Sequence, residues 1–230
     1  AKLSKRHGAQ AVSEFDAMGY LPEAMRNYLA RLGWGHGDDE IFSDAQAISW
    51  FDIADVVGAP SRLDWAKLNH LNNHYIRQAE VPRLADLVTA IHASRDLQVR
   101  EADRAVLERT IPLVRDGAKT LLDLADATVF VLRRRPLEMP EKAASLLTDE
   151  TRARLSRLRD RLAAAETWEV PALEAEIRAF AESESVGIGK FGPALRMCLA
   201  AGSPAPDLAG ALVALGREES IARLDDALSP

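Results

Sequence analysis

Residues 21–33, LPEAMRNYLARLG, carry the clearest structural signal in the sequence. Pro22 stands where a first helical turn tolerates proline, because its fixed φ suits that turn and its missing N–H is not needed there. The apolar residues after it recur at intervals of three and four: Ala24, Met25, Tyr28, Leu29 and Leu32. Such spacing places them on one face of a helix, and Gly33 stands where a C-cap is expected. The stretch predicts an amphipathic helix that ends at Gly33.

Side-chain caps predict the next two helices. Ser43 and Gln46 have the spacing of a capping box, which predicts a helix over residues 45–51. Asp64 can cap a helix over residues 65–76. Its inward-facing residues would be Trp65, Leu68 and Leu71.

The rest of the chain continues this pattern, and the alternation typical of strands is scarce. One helix is expected around Leu84–Ile91, and residues 106–132 predict two helices broken near Pro112. Further helix starts are predicted at Thr148, Pro171, Pro193 and Pro206 or Asp207, the last helix ending at Gly216. The fold class predicted is all-α.

Two proline-containing junctions divide the chain. Val81-Pro82 interrupts the helical pattern, and Arg133-Arg134-Arg135-Pro136 is followed closely by Pro140. The predicted domains are therefore residues 1–80, 81–138 and 139–230.

Charge and cysteine content restrict the classes of function. The 230 residues carry a formal net charge of −6, so a polyanionic ligand would have to meet a local basic patch. Cys198 is the only cysteine and lies in an apolar run, which excludes an intrachain disulfide and predicts a small core residue. No signal peptide or long apolar run occurs, so we expect a cytoplasmic protein that does not enter membranes.

The segment Lys2-Leu3-Ser4-Lys5-Arg6 is the strongest chemical motif. Two lysines and an arginine around a hydroxyl can neutralise a triphosphate while charge moves onto leaving pyrophosphate. A solvated basic terminus has the same composition, and the motif alone leaves both interpretations open.

The helix predicted to start near Thr148 and Thr151 would carry many arginines. Its apolar stripe is Leu155, Leu158 and Leu162, flanked on its two sides by Arg154, Arg157, Arg161 and by Arg152, Arg159. These arginines could hold a phosphate backbone. We favour the alternative that their stems cover the stripe and their guanidinium groups pair with nearby acids.

The histidines do not predict a metal site. His70 and His74 stand four residues apart, but no third ligand lies nearby in sequence and the glutamate of a zinc-peptidase motif is missing. His36 lies in a glycine-rich turn whose following acids, Asp38, Asp39 and Glu40, would repel phosphate. We expect a structural loop there.

Five segments occur in the order in which a known family has them. They are KLSKRHGA (2–9), MGYLPEAMRNYLARLGWGHGDDEIFS (18–43), NHYIR (73–77), VGIGKFGPALRMCLAAGSP (186–204) and LGREESIARL (215–224). By these segments the whole sequence resembles the C-terminal half of bacterial glutamyl-tRNA synthetase, a class I aminoacyl-tRNA synthetase. The resemblance implies an ATP signature loop, then a stem-contact helical domain and two helical anticodon-binding domains.

The resemblance also implies an activity for the full-length enzyme. Such an enzyme forms glutamyl-adenylate from L-glutamate and ATP, with Mg, transfers glutamate to tRNA, and works as a monomer. Lys2, Leu3, Ser4, Lys5 and Arg6 correspond to its signature loop, with Lys5 contacting ATP. The family's other ATP signature and its glutamate pocket do not occur in these 230 residues. Because adenylate formation requires both reactants to be held, we expect the chain alone to be inactive and to act by binding glutamate tRNA.

Further positions correspond to tRNA contacts of the family. They are Arg178, Arg196 and the turn from Ala205 to Leu208 for anticodon bases, and Lys190 and Arg217 for phosphates. Gly117 occupies a position where some members carry an arginine that reads the third anticodon base and rejects glutamine tRNA. The glycine implies that glutamine tRNA is also a partner. Each of the charged positions could instead be ordinary surface charge.

Two alternatives remain at this point. The chain could be a free-standing helical module that binds other proteins. It could also resemble the synthetase for glutamine, but the anticodon region of that family is built of β-barrels, which the helical periodicity disfavours.

Overall fold

The computed structural model describes residues 11–58 and 63–229. All regular structure in this part of the chain is helical, which confirms the predicted fold class. The α-helices are α1 (Val12–Ala17), α2 (Pro22–Ala30), α3 (Asp44–Trp50), α4 (Trp65–Gln78), α5 (Val81–Ser94), α6 (Arg104–Val114), α7 (Leu121–Leu132), α8 (Lys142–Leu146), α9 (Asp149–Ala163), α10 (Val170–Ser183), α11 (Gly192–Ala200), α12 (Leu208–Leu215) and α13 (Arg217–Leu228). Short 3₁₀ turns lie at Ile53–Asp55, Glu101–Asp103, Arg115–Gly117 and Ile188–Lys190.

The predicted caps are confirmed. Ser43 Oγ accepts from the backbone N–H of Gln46 at 3.2 Å, and Gln46 Oε1 accepts from the N–H of Ser43 at 2.9 Å. Asp64 caps α4 and Thr148 caps α9 through their side-chain oxygens. Each cap satisfies a backbone donor that the first turn of a helix leaves without an intrahelical partner.

Three local predictions were wrong. Helix α2 ends at Ala30, before Gly33, because Gly33 forms part of a following turn in which its carbonyl accepts from Val57 N at 2.8 Å. Pro112 lies inside α6, and the break comes after Val114, because the proline ring fixes a helical φ and removes only one hydrogen bond. Trp65 is 41 % exposed, since it begins α4 and covers the rings of Phe15 and Tyr20 from outside.

The chain folds into two compact units. In the described residues, the first unit comprises 11–58, 63–91 and 115–124, and the second comprises 92–114 and 125–229. The sequence predicted three domains, with boundaries at residues 80 and 138. These domains are defined differently from the two packing units, and their boundaries stay a prediction.

The first unit packs α2 on α4 around an aromatic core. Its buried members are Phe15, Tyr20, Met25, Tyr28, Leu68 and Leu71. Asn72 ties this core to neighbouring loops, since its side chain accepts from Leu21 N at 2.8 Å and donates to the carbonyls of Gly19 and Lys119. Gly19 has φ +84°, and a Cβ there would lie 2.9 Å from two backbone nitrogens, so this position requires glycine.

The second unit packs α6 and α9–α13 around a leucine-rich core. The predicted stripe of α9, Leu155, Leu158 and Leu162, is fully buried, which confirms it. Cys198 is buried as predicted, and this burial raises the pKa of its thiol to about 12.

Arg223 is the largest fully buried side chain of the described residues, and it binds several helix ends of the second unit. Its Nη1 donates to the carbonyls of Phe130 and Leu199 at 2.8 and 2.6 Å, and its Nη2 donates to the carbonyl of Arg133 at 2.9 Å. Glu219 pairs with its Nε at 2.7 Å. One guanidinium thus satisfies terminal carbonyls of α7 and α11 that would otherwise be buried without donors.

Within the described residues, no helix combines the length and the apolar character needed to cross a bilayer.

We predict that Arg223→Ala lowers the free energy of unfolding by about 3 kcal/mol or more, because it leaves buried carbonyls without a donor. Urea denaturation followed by circular dichroism would measure the change. Arg157→Ala is the control, since Arg157 is exposed and pairs with Glu184 at the surface. Similar losses for the two variants would contradict the structural role of Arg223.

Candidate nucleic-acid interface

A shallow groove in the second unit brings three of the predicted tRNA-binding residues together. Arg178 on α10, Arg196 on α11 and Leu208 at the start of α12 all line it. Its volume is about 300 Å³. The remaining lining residues are Glu174, Ile177, Ile188, Asp207 and Ala209. The groove therefore combines apolar walls with two guanidinium groups and two carboxylates.

Arg196 is fixed by the turn that follows its helix. Its Nη1 donates to the carbonyl oxygens of Ala205 and Pro206. In the same turn, Asp207 caps α12, and its Oδ1 accepts from Gly210 N at 2.7 Å. The guanidinium and the turn over residues 205–208 thus hold each other in place, which joins two sites that the sequence resemblance named separately.

Arg178 and Lys190 are exposed cations beside this groove. Neither side chain forms a hydrogen bond or ion pair with the part of the chain that the structure describes. Lys190 ends the 3₁₀ turn whose Ile188 lines the groove. Both cations are therefore available to an anionic ligand.

Most other arginines of the second unit are neutralised within the chain. The five on α9 bind Glu150, Glu184, Asp225, Glu176 and the backbone carbonyls of Leu147 and Ala227. Burial alone would raise the pKa of Asp103, but hydrogen bonds from Arg134 and Arg100 outweigh it and lower that pKa to about 2. The internal pairing expected for α9 is confirmed, and its arginines do not form a free phosphate-binding face.

Arg217 has a different environment from Arg178. Its guanidinium lies 5.2 Å from the ring centroid of Trp168 and donates to the carbonyls of Ala163 and Glu166 at 3.3 and 3.4 Å. These contacts link α13 to the end of α9. A phosphate contact of Arg217 stays a prediction, and it would have to share this side chain with its present partners.

Gly117 belongs to the first unit, in the turn Arg115–Gly117. The side-chain amide of Asn73 donates to the carbonyls of Arg115, Asp116 and Ala118 and so fixes this turn. A Cβ added at Gly117 would meet no atom within 4 Å. The turn therefore has room for a side chain at this position.

The remaining predicted positions are simpler to place. Lys2, Leu3, Ser4, Lys5 and Arg6 lie outside the described residues. His36 stacks on Trp50 with ring centroids 4.2 Å apart and contacts Asp39, which supports a structural loop. No group of three or more histidine, cysteine or acidic side chains in the described residues could hold a metal ion.

The region of the chain that contains this groove matches a known protein family. The pattern of the anticodon binding domain matches residues 77–228, which include every residue of the groove. The chain belongs to the anticodon binding domain family. A second pattern, the catalytic domain of class I tRNA synthetases (E and Q), matches residues 1–70.

Individual relatives agree with this assignment. The glutamate–tRNA ligase of Phenylobacterium zucineum is 74 % identical over 230 residues, and that of Caulobacter vibrioides is 59 % identical over 232. The alignments cover all of this chain but 49 % of each relative, so the chain spans about half their length. A glutamate tRNA ligase from Elizabethkingia meningosepticum, crystallised in complex with its amino acid, matches with a TM-score of 0.74 at 25 % identity, over 93 % of this chain and 42 % of that one.

These matches confirm the resemblance to bacterial glutamyl-tRNA synthetases. They do not favour the free-standing protein-interaction module. The β-barrel alternative also loses support, because the described residues of this anticodon binding domain contain no strand.

Gly192, which shapes the groove, was not among the predicted site residues. A Cβ at Gly192 would lie 3.2 Å from Ile188 Cγ2 and 3.3 Å from Leu208 Cδ1, so the glycine lets both side chains approach the start of α11. The available signal was the position of this glycine directly before Pro193, which predicted only a helix start.

We predict that Arg196→Ala lowers the stability of the anticodon binding domain by about 1 kcal/mol, because the turn over residues 205–208 loses its donor. Arg178→Ala should leave stability nearly unchanged, since Arg178 has no partner in the described residues. Urea denaturation midpoints would compare the two variants. Equal destabilisation by both substitutions would contradict the contacts described here.

Proposed function

We propose that this chain is the tRNA-recognition part of a glutamate–tRNA ligase and that its groove binds the anticodon of glutamate tRNA. The observation that carries the proposal is a pair of cations, Arg178 and Lys190, that have no partner among the described residues and lie beside a groove that Arg196 organises. This arrangement lies within the region matched by the anticodon binding domain.

The chemistry of the groove suits an unstacked nucleotide. Anticodon bases are single-stranded, so their edges and faces can reach a shallow groove that would exclude a duplex. Ile188 and Leu208 offer apolar contact to a base, and the backbone groups of Ala205 and Pro206 lie beside the fixed guanidinium of Arg196. Arg178 and Lys190 would contact phosphates and set the position of the strand.

The distribution of charged side chains also supports RNA binding at this groove. The chain as a whole carries −6, so it has no general attraction for RNA. Because the arginines of α9 are held by acids or backbone carbonyls, Arg178 and Lys190 are among the few cations of this unit without a partner in the described residues. A local site of this kind favours a defined contact over non-specific binding.

The ATP-dependent reaction belongs to the proposal for the whole ligase, which would activate L-glutamate with ATP and Mg before transfer to tRNA. Lys2 to Arg6, with Lys5 at the phosphates, would supply positive charge to that reaction. These residues lie outside the described part of the chain, and this part of the proposal rests on the lysines and arginine of the motif. A cytoplasmic, monomeric enzyme is part of the same proposal.

We further propose that glutamine tRNA is a second partner, because Gly117 leaves open the space that an arginine would fill. The absence of any atom within 4 Å of a Cβ at this position supports that interpretation.

Titration of the chain with glutamate tRNA should show binding that weakens as salt concentration rises, since phosphate contacts release counterions. A tRNA with a scrambled anticodon should bind less tightly. Arg196→Ala should weaken binding of the matched tRNA by about tenfold, and Arg178→Ala should also reduce the salt dependence.

Arg157→Ala is the matched control for this titration, because Arg157 is an exposed arginine already paired with Glu184. It should bind tRNA like the unchanged chain. Equal affinity for matched and scrambled anticodons would refute base recognition by the groove.

Gly117→Arg should lower affinity for glutamine tRNA more than affinity for glutamate tRNA, by about tenfold in their ratio, because a new guanidinium would distinguish the third anticodon base. Competition binding with the two tRNAs would measure this ratio. Gly58→Arg is the control, since a Cβ at Gly58 also meets no atom within 4 Å. The same ratio in both variants would exclude a role for this position in discrimination.

A further inference from the structure

The first unit carries an apolar surface that its described residues leave exposed. Most of the large apolar side chains that are exposed in the described residues belong to this unit. Six of them lie between residues 29 and 57: Leu29, Ile48, Phe51, Ile53, Val56 and Val57. Scattered apolar residues are normal at a surface, but a cluster of this kind marks an interaction site.

These side chains form a groove as well as a patch. Leu29, Ile48, Phe51 and Val56 line a depression of about 570 Å³, together with Ala30, Gly33, Trp34 and Ala47. The hydrogen bond from Val57 N to the carbonyl of Gly33 holds the segment after α3 against the turn that follows α2. The walls of the groove are therefore fixed by a backbone hydrogen bond and by the tilted contact of the Trp34 and Phe51 rings, whose centroids lie 5.7 Å apart.

Helix α3 shows that this surface is incomplete. None of its seven residues is buried, and Ile48 is 80 % exposed. A helix this short is unstable in water unless packing supports it, yet in the described structure α3 packs mainly on α2. Its Ser43–Gln46 capping box fixes where it begins but covers none of its apolar face.

The identity of the occupant follows from the two family matches. The whole groove lies within residues 1–70, which match the catalytic domain of class I tRNA synthetases, and before residue 77, where the anticodon binding domain match begins. The relatives are about twice as long as this chain. Residues 1–70 thus correspond to part of a domain whose remaining residues would complete the apolar packing.

We propose that the groove formed by Leu29, Trp34, Ile48, Phe51 and Val56 is the docking surface for the half of a glutamate–tRNA ligase that this chain does not cover. The contact is apolar at its centre. Two ion pairs supply polar surroundings: Arg26 of α2 pairs with Asp44, the first residue of α3, and Arg31, just after α2, pairs with Glu40, before α3. In composition, this docking surface resembles the interface between two domains of one chain. This inference rests on the family match and does not depend on recognition of the anticodon.

Cysteine accessibility tests the proposal directly. Cys198 is the chain's only cysteine, and its burial and raised pKa make it a poor target for maleimide, so an introduced thiol can be followed alone. Ile48→Cys and Phe51→Cys would be compared in two proteins. One is the 230-residue chain, and the other is a full-length chimera that joins the uncovered half of the Phenylobacterium zucineum ligase to this chain.

Labelling with N-ethylmaleimide, measured at each site by peptide mass spectrometry, should be at least about tenfold slower in the chimera, because both thiols would react only after local opening. Ala179→Cys, on the exposed face of α10 in the second unit, is the control and should react equally in both proteins. Circular dichroism would verify that each variant is folded.

Equal labelling of the groove in the two proteins would overturn the proposal. Labelling of the 230-residue chain that slows as its concentration rises would also overturn it, because a second copy would then be the occupant. Equal slowing at Ala179→Cys would show general shielding in place of docking at the groove. None of these results depends on added tRNA, so a failure here is distinct from a failure of anticodon binding.

Discussion

The buried guanidinium of Arg223 is the contact on which the second unit depends. Three backbone carbonyls and Glu219 surround it, and two of the carbonyls belong to the last residues of α7 and α11 or to their close neighbours. A buried charge is costly unless all its donors are used, and here the partners come from separate parts of the chain. The helices must therefore adopt one arrangement to satisfy it, and that arrangement carries α11 and the groove residue Arg196.

The same principle divides the arginines of this unit into two groups. Those on α9 are held by acids or carbonyls, and they contribute to packing through their stems as well as their charge. Arg178 and Lys190 have no such partners in the described residues. A protein with net negative charge can in this way present positive charge at a chosen place, which composition alone would not reveal.

Helical periodicity and caps predicted much of the fold, because both are local properties of the chain. Asp64, Ser43 and Thr148 cap helices as expected. The C-cap predicted at Gly33 was wrong because the role of this glycine depends on Val57, a residue distant in sequence. The sequence predicted individual residues of the groove but not that they lie together. Arg196 and the turn at Ala205 were separate expectations, and the close approach of Ile188 and Leu208 to Gly192 depends on tertiary packing that periodicity does not encode.

The groove combines one immobilised arginine with one that is free to move. Arg196 has already lost rotamer freedom to its two carbonyl partners, whereas Arg178 keeps most of the roughly 2 kcal/mol of side-chain entropy that an arginine can lose. A ligand would find a rigid edge ready for contact and an adaptable arm that becomes ordered only afterwards. Arg196 would then select ligands by their shape. Arg178 could adjust to a nucleic-acid backbone whose path differs from one ligand to the next.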